Sequence, residues 1–258
     1  MHIRRKYRMP NSIEVQEFNS SKCPGLSRPR RQKTEKTPEQ IVKANQRRMV
    51  ETYFNEDDGA ITLTFRKEMR PKDMKEALKI FQAFVRYLKR EYKKRFYDLF
   101  WIRNVEVGPR GGWHIHMILN RIEGMELIVN DWWTSRFGGV YIQYLKNWHD
   151  QGKDIGEYIA KTKVTSDEVV ETSWGHSRNI QKVQPEDKII TGQRMQDKPR
   201  IPAGWYLDKN TEYEGETAEG YPYRTYTLRR LEPRRIDHRL TPAQIRKMQR
   251  PKRKKKKC

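Results

Sequence analysis

Hydrophobic and polar positions recur with regular spacing along the middle of the chain. Residues 60–66 alternate and are rich in β-branched side chains, which predicts a strand. Thr37 and Pro38 are typical of a helix N-terminus and precede a run with helical spacing. Residues 71–96 carry an apolar stripe opposite a face of lysine and arginine, which predicts a long amphipathic helix.

The pattern continues with further short elements. Residues 99–107 and 113–120 are apolar segments separated by a loop of glycine, proline and arginine, which predicts a β-hairpin. A short helix capped by Asn130, a strand over 140–145 and a helix over 154–163 follow. Strands and helices in this order indicate an α+β fold.

Composition separates this patterned middle from two basic ends. Residues 1–37 combine prolines with many arginines and lysines and lack sustained periodicity, which predicts a flexible basic arm. Residues 38–231 are predicted to form one α+β domain with a C-terminal extension, in which strand signals at 201–207 and 221–231 are weak. Residues 232–258 end in a lysine run and are predicted to be a basic, disordered tail.

The formal net charge of +22 over 258 residues indicates a polyanionic partner. An acidic membrane surface is the alternative to nucleic acid. However, the sequence has no apolar run that could span a bilayer and no signal-peptide core, so a cytoplasmic protein without a membrane partner is expected. Cys23 and Cys258 have neither the spacing of metal ligands nor that of a disulfide framework.

The segment from 113 to 119 contains two histidines, His114 and His116. Alternate residues of a strand project from the same face, with Cα atoms about 6.5–7 Å apart. Two imidazoles at this separation can converge on one metal ion. An isolated His-x-His pair is more often two polar residues on the solvent-exposed face of a sheet. The pair therefore indicates a metal site only if a further ligand lies nearby.

The predicted hairpin supplies that ligand. If its strands pair around Arg110, Glu106 lies directly opposite His114, and Cβ atoms of such partners are about 4.5–5.5 Å apart. Two imidazoles and one carboxylate with open positions suit Mg²⁺ or Mn²⁺ and would also accept Zn²⁺. The alternative for Glu106 is an exposed cross-strand partner of a lysine or arginine.

Tyr158 and Lys161 are three residues apart on the predicted helix and therefore share a face. A tyrosine hydroxyl, with a pKa of about 10, is a poor nucleophile by itself. A nearby ammonium group and a metal-bound phosphate both favour phenolate character. The Tyr-x-x-Lys spacing alone is more often a half-buried tyrosine beside a solvated lysine.

The order of these motifs resembles the three-motif signature of HUH-class rolling-circle replication initiators. The resemblance extends over about residues 58–180. Within this range the sequence is similar to phage and plasmid initiators related to the filamentous-phage gene II protein. The matching segments are, in chain order, residues 61–65 (first motif), 112–119 (second motif, His-hydrophobe-His), 138–142, 157–161 (third motif, the tyrosine helix) and 173–178.

This resemblance implies a central antiparallel sheet with helices packed on it and a metal-dependent endonuclease. The metal would bind His114, His116 and Glu106 and polarise the scissile phosphate. Tyr158 would attack the phosphate of single-stranded DNA, which leaves a 5′-phosphotyrosyl bond and a free 3′-OH. Lys161 would neutralise charge on the phosphate or position the tyrosine. Since Tyr158 stands alone in its motif, a two-tyrosine mechanism is not expected.

The implied partners are single-stranded DNA at a replication origin and a host polymerase that extends the 3′-OH. The sequence has no phosphate loop of an ATP-driven helicase, so a host helicase is also expected. Two alternatives remain open. One is a relaxase or single-strand transposase with the same chemistry, and the other is a non-enzymatic basic nucleic-acid-binding protein.

Overall fold

A computed structural model describes residues 2–19, 38–108, 111–146, 171–190, 198–216 and 222–249. Within these ranges the chain forms strands and α-helices, plus one short 3-10 turn. In chain order they are β1 (His2–Arg8), β2 (Ser12–Asn19), α1 (Pro38–Tyr53), β3 (Gly59–Thr64), α2 (Met74–Lys94), β4 (Trp101–Val107), β5 (Trp113–Leu119), α3 (Met125–Thr134), β6 (Val140–Tyr144), β7 (Glu171–His176), β8 (Glu186–Ile190), β9 (Trp205–Glu216), β10 (Pro222–Arg230) and α4 (Pro242–Gln249).

The elements form two compact units, each with a five-stranded antiparallel sheet. The first unit contains α1 and a sheet of order β8-β1-β2-β10-β9. The second contains α2, α3, α4 and a sheet of order β6-β3-β5-β4-β7. The predicted α+β class is confirmed, but the prediction of one domain over 38–231 is wrong, because the described chain divides into two units, both of which draw on residues outside that range.

The predicted flexible arm over 1–37 is wrong for residues 2–19, which form β1 and β2 in the middle of the first sheet. The remainder of that arm lies outside the described residues. The prediction of a disordered tail over 232–258 is wrong for residues 242–249, which form α4. The last nine residues lie outside the described part of the chain.

Buried ion pairs explain why the hydrophobic pattern of the sequence does not predict the first two strands. On β2, Glu17 is fully buried and binds Arg4 and Arg224, each at 2.5 Å. Glu14 is also buried and binds Arg48 of α1 at 2.7 Å. Carboxylates therefore occupy positions where a hydrophobic pattern expects apolar residues, and each is stabilised by arginines distant in sequence.

The second unit follows the sequence pattern closely. The hydrophobic stripe of α2 and the apolar residues of α3 pack on one face of the sheet, and β3, β5 and β4 form its centre. One boundary differs: α3 begins after Gly124, whose φ of 73° is left-handed, and not at Asn130. The apolar side chains of Met125, Ile128 and Val129 in this earlier turn are buried, so packing extends the helix towards its N-terminus.

Trp133 is the central aromatic residue of this core. Its side chain is fully buried, and its indole N–H donates to the backbone carbonyl of Thr64 at 2.9 Å. The ring packs edge-on against Phe65 and Phe84 at centroid distances of 5.1 and 5.5 Å. Through these contacts Trp133 packs α3 against both β3 and α2.

Replacement of Trp133 by alanine is expected to lower the free energy of unfolding by roughly 3–5 kcal/mol, because it creates a cavity and leaves the half-buried Thr64 carbonyl without this donor. Urea unfolding followed by circular dichroism measures this loss. Trp132→Ala is the matched control: its side chain is half-buried, so it should cost less than half as much. Equal losses for the two variants would contradict the central role of Trp133.

Among the described residues, no helix is both long enough and apolar enough to cross a membrane.

Candidate functional site

The three predicted metal ligands lie on adjacent strands at the centre of the second sheet. β4 pairs with β5 in the predicted register, with Glu106 opposite His114 and Asn104 opposite His116. Directly opposed residues of an antiparallel pair share a face, as do alternate residues of one strand. All four side chains therefore project from one face, which is opposite to the face that packs against α2 and α3.

Two of the three ligands are in contact. His116 Nε2 pairs with Glu106 Oε1, and the two residues are only 7% and 5% exposed. His114 is exposed, and its ring centroid lies 6.1 Å from that of His116. The close pair is thus diagonal across the two strands, whereas the register places Glu106 directly opposite His114.

The donor atoms suit a divalent ion, but their present arrangement is incomplete. No group of three or more histidine, cysteine, aspartate or glutamate side chains in the described ranges is placed to hold a metal. One imidazole nitrogen and one carboxylate oxygen meet at His116 and Glu106, and a second imidazole stands on the same face. These are the donor types of a mixed nitrogen and oxygen site.

Thr62 and Asn104 flank His116 on the neighbouring strands, and sequence reasoning missed both. Each lies directly opposite His116, on β3 and β4 respectively. Thr62 Oγ1 is 3.2 Å from His116 Nδ1, and Asn104 is buried to 1% exposure. The alternation of the strand over 60–66 already placed Thr62 on the polar face, so this signal was present in the sequence.

β7 extends the same face beyond β4. Trp174 lies opposite Asn104, and its ring is 5.0 Å from that of His176. The indole N–H of Trp174 is buried and has no hydrogen-bond partner within the described ranges. The segment 173–178, noted for its family resemblance, is therefore an edge strand of the candidate site.

The predicted catalytic pair, Tyr158 and Lys161, lies outside the described residues, as does the predicted helix over 154–163. Tyr144, on β6, is the nearest preceding tyrosine in the sequence. Its hydroxyl donates to Glu126 at 2.8 Å, and this hydrogen bond raises the pKa of Tyr144 above its ordinary value. A hydroxyl held in its protonated form by a carboxylate is a poor nucleophile.

Comparison with known proteins agrees with the motif resemblance. No curated protein and no solved structure gives a significant match to the chain. Residues 58–163, which include β3 to β6, match the model of the family described as replication-associated protein ORF2/gene II protein. This match indicates a replication-associated protein and supports a replication initiator of the gene II protein type.

Proposed function

We propose that the protein is a metal-dependent, site-specific nickase and strand transferase of single-stranded DNA that initiates rolling-circle replication. The observation that carries this proposal is the cluster of His116, Glu106 and His114 on one sheet face inside the family-matched segment. His116 and Glu106 are both buried, whereas histidines that merely cover the wet face of a sheet would be exposed.

His116, Glu106 and His114 would hold Mg²⁺ or Mn²⁺, which supplies Lewis-acid polarisation of the scissile phosphate. Thr62 would orient His116: if Nδ1–H donates to Thr62 Oγ1, the lone pair of Nε2 would be available to bind the ion. Because His116 and Glu106 are buried, water competes weakly for both ligands. His114 is exposed, so DNA would approach the ion from the His114 side.

Tyr158 is the proposed nucleophile. Its hydroxyl oxygen forms a bond to the phosphorus while the bond from phosphorus to the 3′ oxygen breaks. The phenolic proton replaces that bond on the leaving oxygen, so the products are a 5′-phosphotyrosyl linkage and a free 3′-OH. Lys161 stabilises the charge on the phosphate or positions Tyr158. The reverse reaction rejoins a strand without an external energy source.

The proposed partners follow from this chemistry. The substrate is single-stranded DNA at a replication origin, a host polymerase extends the 3′-OH, and a host helicase separates the strands. These partners place the protein in the cytoplasm of the cell that carries the replicon.

The test is a denaturing gel of the full chain with single-stranded DNA from its own origin, in Mn²⁺ or in EDTA. We expect a protein band of reduced mobility in Mn²⁺ that is absent in EDTA, because a phosphotyrosyl bond survives denaturation whereas a binding complex does not. If several candidate origins give no shifted band while binding remains tight and salt-sensitive, the protein is a non-enzymatic binder. If an adduct forms but the origin does not support replication, the same chemistry serves a relaxase or transposase.

A further inference from the structure

A second feature of the sheet lies on its helix-covered face, opposite to His116 and Glu106. Between α2 and the edge strand β7 there is a cavity of about 760 Å³, which we call the α2–β7 groove. Its floor contains Trp101 and Arg103 of β4, which alternate with Ile102 and Asn104 on the metal-ligand face. The floor of the groove therefore lies on the other face of the sheet from His116 and Glu106.

Arg103 is a half-buried cation on the floor of this groove. One guanidinium nitrogen donates to the Ser173 carbonyl, and another packs 3.0 Å from where a Cβ at Gly175 would stand. Its Nε has no hydrogen-bond partner among the residues that the structure describes. Burial lowers the pKa of Arg103 to about 10, so the guanidinium remains charged at neutral pH.

The rim of the α2–β7 groove adds further positive charge. Arg86, Lys89 and Lys93 form a stripe along α2, and Arg178 follows β7 on the other side. All four are exposed. Of the described residues that line the groove, Asp98 alone is acidic, and Gln244 donates to its carboxylate at 3.3 Å.

Aromatic residues supply the remaining surface. The half-buried Trp101 packs edge-on against Phe81 at 5.1 Å, and Tyr97 lines the same cavity. Grooves that bind unpaired nucleic acid combine cations along the backbone with aromatic surfaces for bases. A volume of about 760 Å³ holds roughly one or two nucleotides, which excludes a duplex from the floor.

We propose that the α2–β7 groove binds an unpaired DNA strand, with phosphates on Arg86, Lys89 and Arg103 and a base against Trp101. This inference rests on the proposed function for the identity of the polynucleotide, but it concerns binding and needs neither metal nor Tyr158. The groove would hold DNA on the face of the sheet opposite to the one that would cut it, and so retain the strand between cleavage and rejoining.

The test compares two charge-reversed variants of the full chain in EDTA, where no cleavage occurs. Arg86→Glu/Lys89→Glu alters the groove, and Lys79→Glu/Arg90→Glu alters exposed positions of α2 that do not line it. Each pair replaces one arginine and one lysine, so the net charge changes equally. Fluorescence anisotropy with a labelled oligothymidine of about 15 nucleotides measures the Kd.

We expect the groove variant to raise the Kd about tenfold or more and the control variant less than about threefold. The dependence of log Kd on log salt should also weaken by about 0.7 per lost phosphate contact. Equal effects of the two variants, or none, would overturn the proposal, as would equal competition by a duplex of the same length. If the unmodified protein shows this groove-dependent binding but does not nick DNA in Mn²⁺, the result would contradict the proposed function alone.

Discussion

Replacement of Tyr158 by phenylalanine is expected to abolish the covalent protein–DNA adduct and to lower nicking on the order of 10⁴-fold or more. The variant removes one oxygen atom, the proposed nucleophile. Neither Lys161 nor a metal-bound water can form a phosphotyrosyl bond in its place. DNA binding should persist within about twofold, because the charge that governs affinity is unchanged. The denaturing gel and an anisotropy titration measure the two quantities separately.

Tyr144→Phe is the matched control for this prediction, since it makes the same atomic change. The Tyr144 hydroxyl donates to Glu126, and its raised pKa opposes ionisation. We expect this variant to form the adduct at a rate within about twofold of the unmodified protein. An adduct that persists in Tyr158→Phe and disappears in Tyr144→Phe would assign the nucleophile to β6 and reject the motif-based prediction.

Replacement of His116 by alanine is expected to lower nicking at limiting Mn²⁺ at least about a hundredfold. Its imidazole contacts Glu106, and both groups are buried, so the variant removes a proposed metal ligand and leaves a buried carboxylate without this partner. Nicking rates over a Mn²⁺ titration provide the measurement. Partial recovery at high Mn²⁺ would identify weakened metal binding, whereas a protein that is merely misfolded would not recover.

Thr62 offers a graded control for the same site. Thr62→Val removes the hydroxyl beside His116 Nδ1 and should weaken Mn²⁺ binding by about 10–100-fold. Thr62→Ser retains the hydroxyl and should stay within about threefold of the unmodified protein. If valine and serine behave alike, Thr62 does not orient His116, and the proposed tautomer is wrong. If nicking by His116→Ala keeps the Mn²⁺ dependence of the unmodified protein, the proposed metal site is wrong.

The amino-acid sequence by itself determined most of the second unit. Alternation placed His114 and His116 on one face of β5, and the short loop before them fixed the pairing of Glu106 with His114. Both results depend on local geometry, because side chains of a strand alternate and a short hairpin leaves few registers. The long stripe of α2 was predicted for the same reason.

Only the tertiary structure showed which of the predicted metal ligands are in contact and that a cationic groove lies on the opposite face of the sheet. His116 contacts Glu106 diagonally, although the register opposes Glu106 to His114, because rotamers and burial depend on neighbouring strands. Arg103 becomes a half-buried cation only because Gly175 and Phe81 of α2 pack beside it.

The first two strands of the first unit were not predicted from the sequence for a related reason. Glu14 and Glu17 are buried by arginines from α1 and β10, up to 207 residues away, so β2 lacks the apolar pattern of a central strand. Periodicity reports a local balance of polar and apolar groups. Charge pairing between distant segments can reverse that balance, and only the folded chain brings those segments together.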